Sequence, residues 1–245
     1  MSHYRLTLTF EGTAYHGWQR QKGWPTVQEV VEMAIARTVG HAVSVRGCGR
    51  TDAGVHAENY VAVFETDSEL PPERMMGAIN SRLPEDVAVI DCDHPPDGFD
   101  PTTDVVEKVY RYTIAVGDPR PVIERNFVHW VWARLDIDAM SEAAACLVGE
   151  HDFASFVTER EPGKNTVRTI HRLDVDAEGR YIRVTVSGNG FLYNMVRAIV
   201  GCLIDVGRGR LQPRCMREIL DARDRTKACD NAPAKGLTMV RVTYR

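Results

Sequence analysis

The chain has 245 residues, 44 % of them hydrophobic and 26 % charged, with a formal net charge of −4. That composition excludes a disordered tail, a collagen-like repeat and a disulfide-stapled miniprotein, and the length suits one large domain or two smaller ones. The longest apolar-rich stretch, Phe191 to Gly207, contains Arg197 and Asp205 and falls short of the ~20 residues a membrane span needs. The amino-terminal residues alternate and show no apolar signal core. Six cysteines and eight histidines are scattered without metal-ligand spacing, so the expectation is a cytoplasmic protein with free thiols, no metal and no membrane segment.

The elements expected in chain order begin with a half-buried strand at Tyr4–Phe10, where Tyr4, Leu6, Leu8 and Phe10 alternate with polar residues. A helix follows over Thr26–Val39, opened by a capping box of Thr26 and Glu29. Strands are predicted at Ala42–Arg46 and Tyr60–Glu65, on either side of a glycine-rich loop. Pro71 and Pro72 open a second helix carrying Met75, Ile79 and Leu83, and Asp86–Asp91 reads as a short strand. The resulting β-α-β-β-α-β order is the split-βαβ pattern of ferredoxin-like units.

The second half repeats the theme. A strand is predicted at Lys108–Val116 and a helix over Asp136–Val148 ended by Gly149. A hairpin follows, formed by Thr169–Asp176 and Tyr181–Ser187, then helices over Leu192–Val206 and Pro213–Ala222 and a last strand at Thr238–Tyr244. The expected fold is α+β: two ferredoxin-like halves, 1–105 and 106–245, sharing a mostly antiparallel sheet with a central cleft.

Charge is segregated. Glu85 to Asp104 holds seven acidic residues and no Lys or Arg, while Arg197 to Lys227 holds eight basic residues against four acidic ones. A mildly acidic chain can in this way present one basic face, and ordinary surface patchiness is the alternative reading.

Two segments break the local rules, as functional segments do. The first is Gly47-Cys48-Gly49-Arg50-Thr51-Asp52-Ala53-Gly54-Val55-His56-Ala57, whose glycines permit a tight backbone and close approach of a ligand. Asp52 there is either a turn residue bonding its own backbone or a reactive carboxylate. The second is Gly188–Gly201, which leads into an apolar helix carrying Arg197. Either a carboxylate from another loop meets this arginine, with Asp52 the candidate, or its head snorkels to solvent. A carboxylate beside a guanidinium stays ionised and is suited to nucleophilic work. No phosphate loop, Ser–His couple or complete dinucleotide-binding glycine motif accompanies it.

The stretch Cys48–Ala57 resembles the signature of the TruA-type tRNA pseudouridine synthases. Tyr15–Gln21 with Thr26–Glu29, Lys108–Tyr112, Phe191–Gly201 and Ala232–Leu237 are similar to other segments of that family in the same order, so the resemblance covers nearly the whole chain. It implies isomerisation of uridine to pseudouridine in the tRNA anticodon stem-loop, at positions 38, 39 or 40, by a homodimer without cofactor or nucleotide. It further implies Asp52 as catalytic carboxylate, Arg197 as its partner and Tyr110 against the uracil. Arg50 would fill the gap left by a flipped base. Trp18 would either stack on single-stranded RNA or pack beneath its loop, with Arg20, Gln21 and His56 also assigned to RNA. Arg208 and Arg210 would follow phosphates. The chain departs from the family at Phe99-Asp100-Pro101-Thr102, where a Phe-His-Ala-Arg stretch is usual, which puts RNA positioning there in question.

Overall fold

A computed structural model describes residues 1–158 and 165–245. The chain divides into two compact units, one of Met1–Val106 with Met239–Arg245 and one of Glu107–Thr238.

In the first unit, strand β1 (Ser2–Phe10) buries Tyr4, Leu6, Leu8 and Phe10 as the alternation requires. Helix α1 (Val27–Val39) buries Val27, Val31, Ala34 and Ile35 and ends at Gly40, whose φ of +83° is left-handed. The expected capping box does not form. Thr26 is the N-cap residue, but its side chain accepts no bond from the helix, and Glu29 pairs with Arg20 at 3.3 Å. The preceding loop supplies the cap instead: the Val27 and Gln28 amides donate to the carbonyls of Gly17 (3.2 Å) and Trp18 (3.0 Å). Those amides would otherwise be orphans of the first helical turn.

Strand β2 is only Arg46–Gly47, shorter than the 42–46 expected. Val45 finds its partners on α1, its amide donating to Glu32 Oε1 (3.1 Å) and its carbonyl accepting from Gln28 Nε2 (2.9 Å), so it has no need of a ladder. Strand β3 (His56–Thr66) runs longer than expected because β1 pairs with it from Ser2↔Thr66 to Phe10↔Ala57. Helix α2 (Pro72–Asn80) buries Met75 and Ile79, Leu83 falling beyond its end, and β4 (Val87–Asp93) returns along β1. The order β4-β1-β3, with β2 on the other side of β3, is the ferredoxin-like arrangement, antiparallel throughout.

The second unit holds most of β5 (Val105–Val116), followed by β6 (His129–Val131), which lies parallel to it. Helix α3 (Ile137–Ala145) is capped by Asp136, whose Oδ1 accepts from the Ala139 amide at 3.0 Å. It ends three residues before the expected Gly149-adjacent turn; Gly149, at φ +109°, instead opens strand β7 (Gly149–Asp152). Strands β8 (Val167–Glu178) and β9 (Tyr181–Gly188) form the expected hairpin, closed where Glu178 faces Tyr181. The strand order is β5-β9-β8-β7. Helices α4 (Met195–Gly207) and α5 (Cys215–Ala222) complete the unit. Strand β10 (Leu237–Tyr244) ends the chain, and its Met239–Tyr244 portion adds to the first unit's sheet beside β3.

Each unit is therefore a mixed α/β body on a mostly antiparallel sheet, as the fold class predicted. Strands β6 and β7, three and four residues long, carry too little periodicity to be read from sequence. No helix among the described residues is long and apolar enough to cross a membrane.

Candidate functional site

The loop between β2 and β3 is held by backbone bonds from the loop before α1. Trp18 N donates to Thr51 O (3.3 Å), Gly54 N to Tyr15 O (3.2 Å) and, within the loop, Val55 N to Asp52 O (3.2 Å). Two glycines make this approach possible. A Cβ on Gly12 would strike the Val55 carbonyl, and one on Gly17, already at φ +85°, would strike Thr51 O, both well inside van der Waals contact. The segment around Tyr15–Trp18 is thus a cradle for the aspartate loop.

Asp52 is half-buried at the crest of this loop and Arg50 is exposed two residues earlier. Trp18 is 2 % exposed and stacks on Tyr60 at 4.2 Å. Of its two readings the structure supports packing beneath the loop, because no ring face is left for a base. His56 is also 2 % exposed; its Nδ1 accepts from the Gly12 amide at 2.9 Å, so it anchors the first loop to β3 rather than reaching RNA. Arg20 lies along α1, bonding Glu32 (3.0 Å) and Glu29 (3.3 Å). Gln21 is exposed and donates to the His16 carbonyl at 3.0 Å.

The segment that departs from the family pattern lies against the base of the same loop. Asp100 accepts from the Thr102 and Thr103 amides (2.8 and 3.0 Å) and from Arg46 (2.7 Å). The two amides, then the guanidinium, hold its carboxyl below the usual aspartate range. Thr102 Oγ1 donates to Gly47 O at 3.3 Å.

In the second unit, Tyr110 stands on β5 opposite Val186, 8 % exposed, with the Phe191 ring edge-on at 5.2 Å. Arg197 rises from the first turns of α4. Its Nε donates to Ala232 O (2.8 Å) and its NH1 to Asn194 Oδ1 (2.6 Å), while its own carbonyl accepts from the Ala232 amide (3.0 Å). The guanidinium is thereby held in one orientation by two neutral acceptors. Arg208 and Arg210 both reach Asp205, at 3.5 and 3.2 Å, so part of the basic excess of this stretch is already paired. Nearby His129 is pushed down to about 4, first by burial and then by the charges of Arg208 and Lys235; it is neutral at pH 7. Among the described residues no group of His, Cys, Asp and Glu is arranged to hold a metal ion.

The structure thus gathers Trp18, Arg50, Asp52 and His56 around one loop of the first unit and ties Arg20 to a neighbouring helix. Tyr110 and Arg197 stand in the second unit. Sequence reading passed over Tyr60, whose hydroxyl donates to the Gly49 carbonyl. The available signal was a tyrosine on an otherwise apolar strand face, since a buried phenol needs an acceptor.

The first unit thus presents a carboxylate on a loop pinned by backbone bonds, and the second an arginine and a tyrosine each set by its own neighbours, within two mixed α/β bodies. Comparison with known proteins is more specific. The family model described as tRNA pseudouridine synthase matches residues 7–101 and 143–245. The chain is 41 % identical over 244 residues to "tRNA pseudouridine synthase A 2" of Clostridium perfringens. It is 43 % identical over 244 residues to "tRNA pseudouridine synthase A" of Brevibacillus brevis, and both matches cover 100 % of each chain. The chain belongs to the tRNA pseudouridine synthase family, isomerases that act on tRNA.

Proposed function

We propose that this protein isomerises uridine to pseudouridine in the anticodon stem-loop of tRNA, at positions 38, 39 or 40, with Asp52 as the catalytic carboxylate. The observation that carries this reading is the aspartate loop itself. Asp52 is half-buried on a backbone pinned at Thr51 and Gly54 by the cradle of Tyr15–Trp18, in a chain of this family. A carboxylate that loses little freedom on meeting its substrate is suited to act as a nucleophile.

The reaction is a neutral rearrangement. The bond from C1′ to N1 breaks, the uracil turns, C5 bonds to C1′, and the proton on C5 leaves while N1 gains one. It consumes no redox equivalent and no phosphate donor. Asp52 acts either by covalent attack on the uridine or by starting the glycal route. Tyr110, edge-on to Phe191, contacts the uracil, and Arg197 keeps Asp52 ionised and oriented. Arg50, exposed beside Asp52, takes the place of the flipped base in the stack. Arg208 and Arg210 exchange Asp205 for phosphate, and binding then falls with salt. The working form is a cytoplasmic homodimer.

The test is tritium release from tRNA labelled at uridine C5. Wild type releases tritium with the formation of pseudouridine, and Asp52→Asn releases none while keeping its fold and its tRNA affinity. Release by Asp52→Asn at the wild-type rate removes Asp52 from the chemistry. Mapping the product to a site outside 38–40 refutes the assigned position alone.

A further inference from the structure

The aspartate loop approaches Asp52 along three alternate carbonyls, and each accepts a bond from a different element. Gly47 O takes the Thr102 hydroxyl at 3.3 Å, Gly49 O takes the Tyr60 hydroxyl, and Thr51 O takes the Trp18 amide at 3.3 Å. The middle bond is the one donated by a fully buried side chain. Tyr60 is fully buried, whereas Thr102 is exposed, so losing the Tyr60 hydroxyl takes from the Gly49 carbonyl a donor held in a fixed place. Its ring is fixed by the Trp18 stack at 4.2 Å with 29° between planes. Gly47 has no side chain because none fits: a Cβ there would lie 2.7 Å from Trp18 Cε2 and closer still to the Tyr60 hydroxyl. Strand β3, paired with β1 without a break from Thr66 to Tyr60, is the base from which this hydroxyl is presented.

We propose that Tyr60 is a positioning residue for the reaction: its hydroxyl fixes the Gly49 peptide, and through the next three residues the direction of the Asp52 carboxylate. The proposal deepens the reading of Asp52 as the catalytic group and rests on it. Tyr60 touches the loop backbone and is given no contact with the substrate, so its removal acts on the rate of the bound complex and not on the affinity for tRNA.

The experiment compares wild type, Asp52→Asn, Tyr60→Phe and Tyr4→Phe by single-turnover tritium release at saturating tRNA and by tRNA binding. Each protein is assayed at a temperature where its far-ultraviolet circular dichroism is native. Tyr4→Phe is the control: Tyr4 is as fully buried as Tyr60, and its hydroxyl donates to Leu70 O at 2.6 Å and Ser68 O at 3.2 Å, carbonyls outside the loop. The expected result is a rate at least tenfold lower for Tyr60→Phe, with Kd within twofold of wild type, and a wild-type rate for Tyr4→Phe. Amide hydrogen exchange at Arg50–Ala53 should be faster in Tyr60→Phe and unchanged in Tyr4→Phe. An unchanged rate in Tyr60→Phe, equal losses in both Phe variants, or a loss of affinity alone overturns the positioning role while leaving Asp52 in place. Wild-type release by Asp52→Asn overturns both assignments.

Discussion

Gly17 and Gly40 share a left-handed backbone, φ +85° and +83°, but not their surroundings. A Cβ on Gly40 meets nothing within 4 Å, and one on Gly17 collides with the Thr51 carbonyl beside Asp52. Gly40→Ala should therefore cost about 1–2 kcal/mol, the penalty of the conformation alone. Gly17→Ala adds an overpacking term and should cost roughly 2–5 kcal/mol in all, with tritium release falling further than stability requires. Urea unfolding of both variants measures the difference, and equal costs would show that the two loops do not press on each other. The identity of such residues was legible from the motif. Their reason was not, because a collision between backbones 34 positions apart leaves no trace in local pattern. Trp18 makes the same point: stacking on RNA and packing beneath the loop were both open in sequence, and burial against Tyr60 decided between them.

Helix α4 presents Arg197, and its placement depends on a close approach at Gly201, where a Cβ would strike the Asp230 carbonyl. The segment lying there continues to Ala232, which accepts from Arg197 Nε and donates to its carbonyl. Gly201→Ala gains helix propensity, about 1 kcal/mol, but pays about 1–3 kcal/mol for overpacking because the segment must move, and should be destabilising by up to about 2 kcal/mol on balance. Turnover should fall as the arginine loses its fixed acceptor, with thermal unfolding and tritium release measured together. A more stable variant with full activity would show that the segment yields freely. Strong periodicity made α1, α2, α4 and the β8–β9 hairpin legible. The capping box and the 42–46 strand were over-read for one physical reason, that hydrogen-bond partners can come from elsewhere. Loop carbonyls satisfy the first amides of α1, and Glu32 and Gln28 satisfy Val45.

The chain leaves its first unit within β5 and comes back to it in its last seven residues. Within that unit Met239 is fully buried against Cys48, Asn59 Nδ2 donates to Val240 O at 2.8 Å, and the Tyr244 ring lies 4.8 Å from Phe99 with its hydroxyl donating to Pro101 O. Deleting residues 239–245 should accordingly destabilise the unit that carries Asp52 by about 3–5 kcal/mol, from the loss of buried Met239 and Val242 alone. Faster amide exchange along His56–Thr66 would report it, and unchanged protection there would show that β10 is dispensable to the first unit. Sequence by itself determined the α/β alternation, the residues facing each core, the reactive-looking loop around Asp52 and the resemblance that named a reaction. Those follow from periodicity and short motifs, whose physics is local. Tertiary structure alone decided that the Tyr15–Trp18 segment cradles the aspartate loop, that Asp100 and Thr102 brace its base, that Tyr60 fixes its middle carbonyl and that the last strand belongs with the first. Each of these is a contact between residues separated in the chain, which no local pattern of the sequence records.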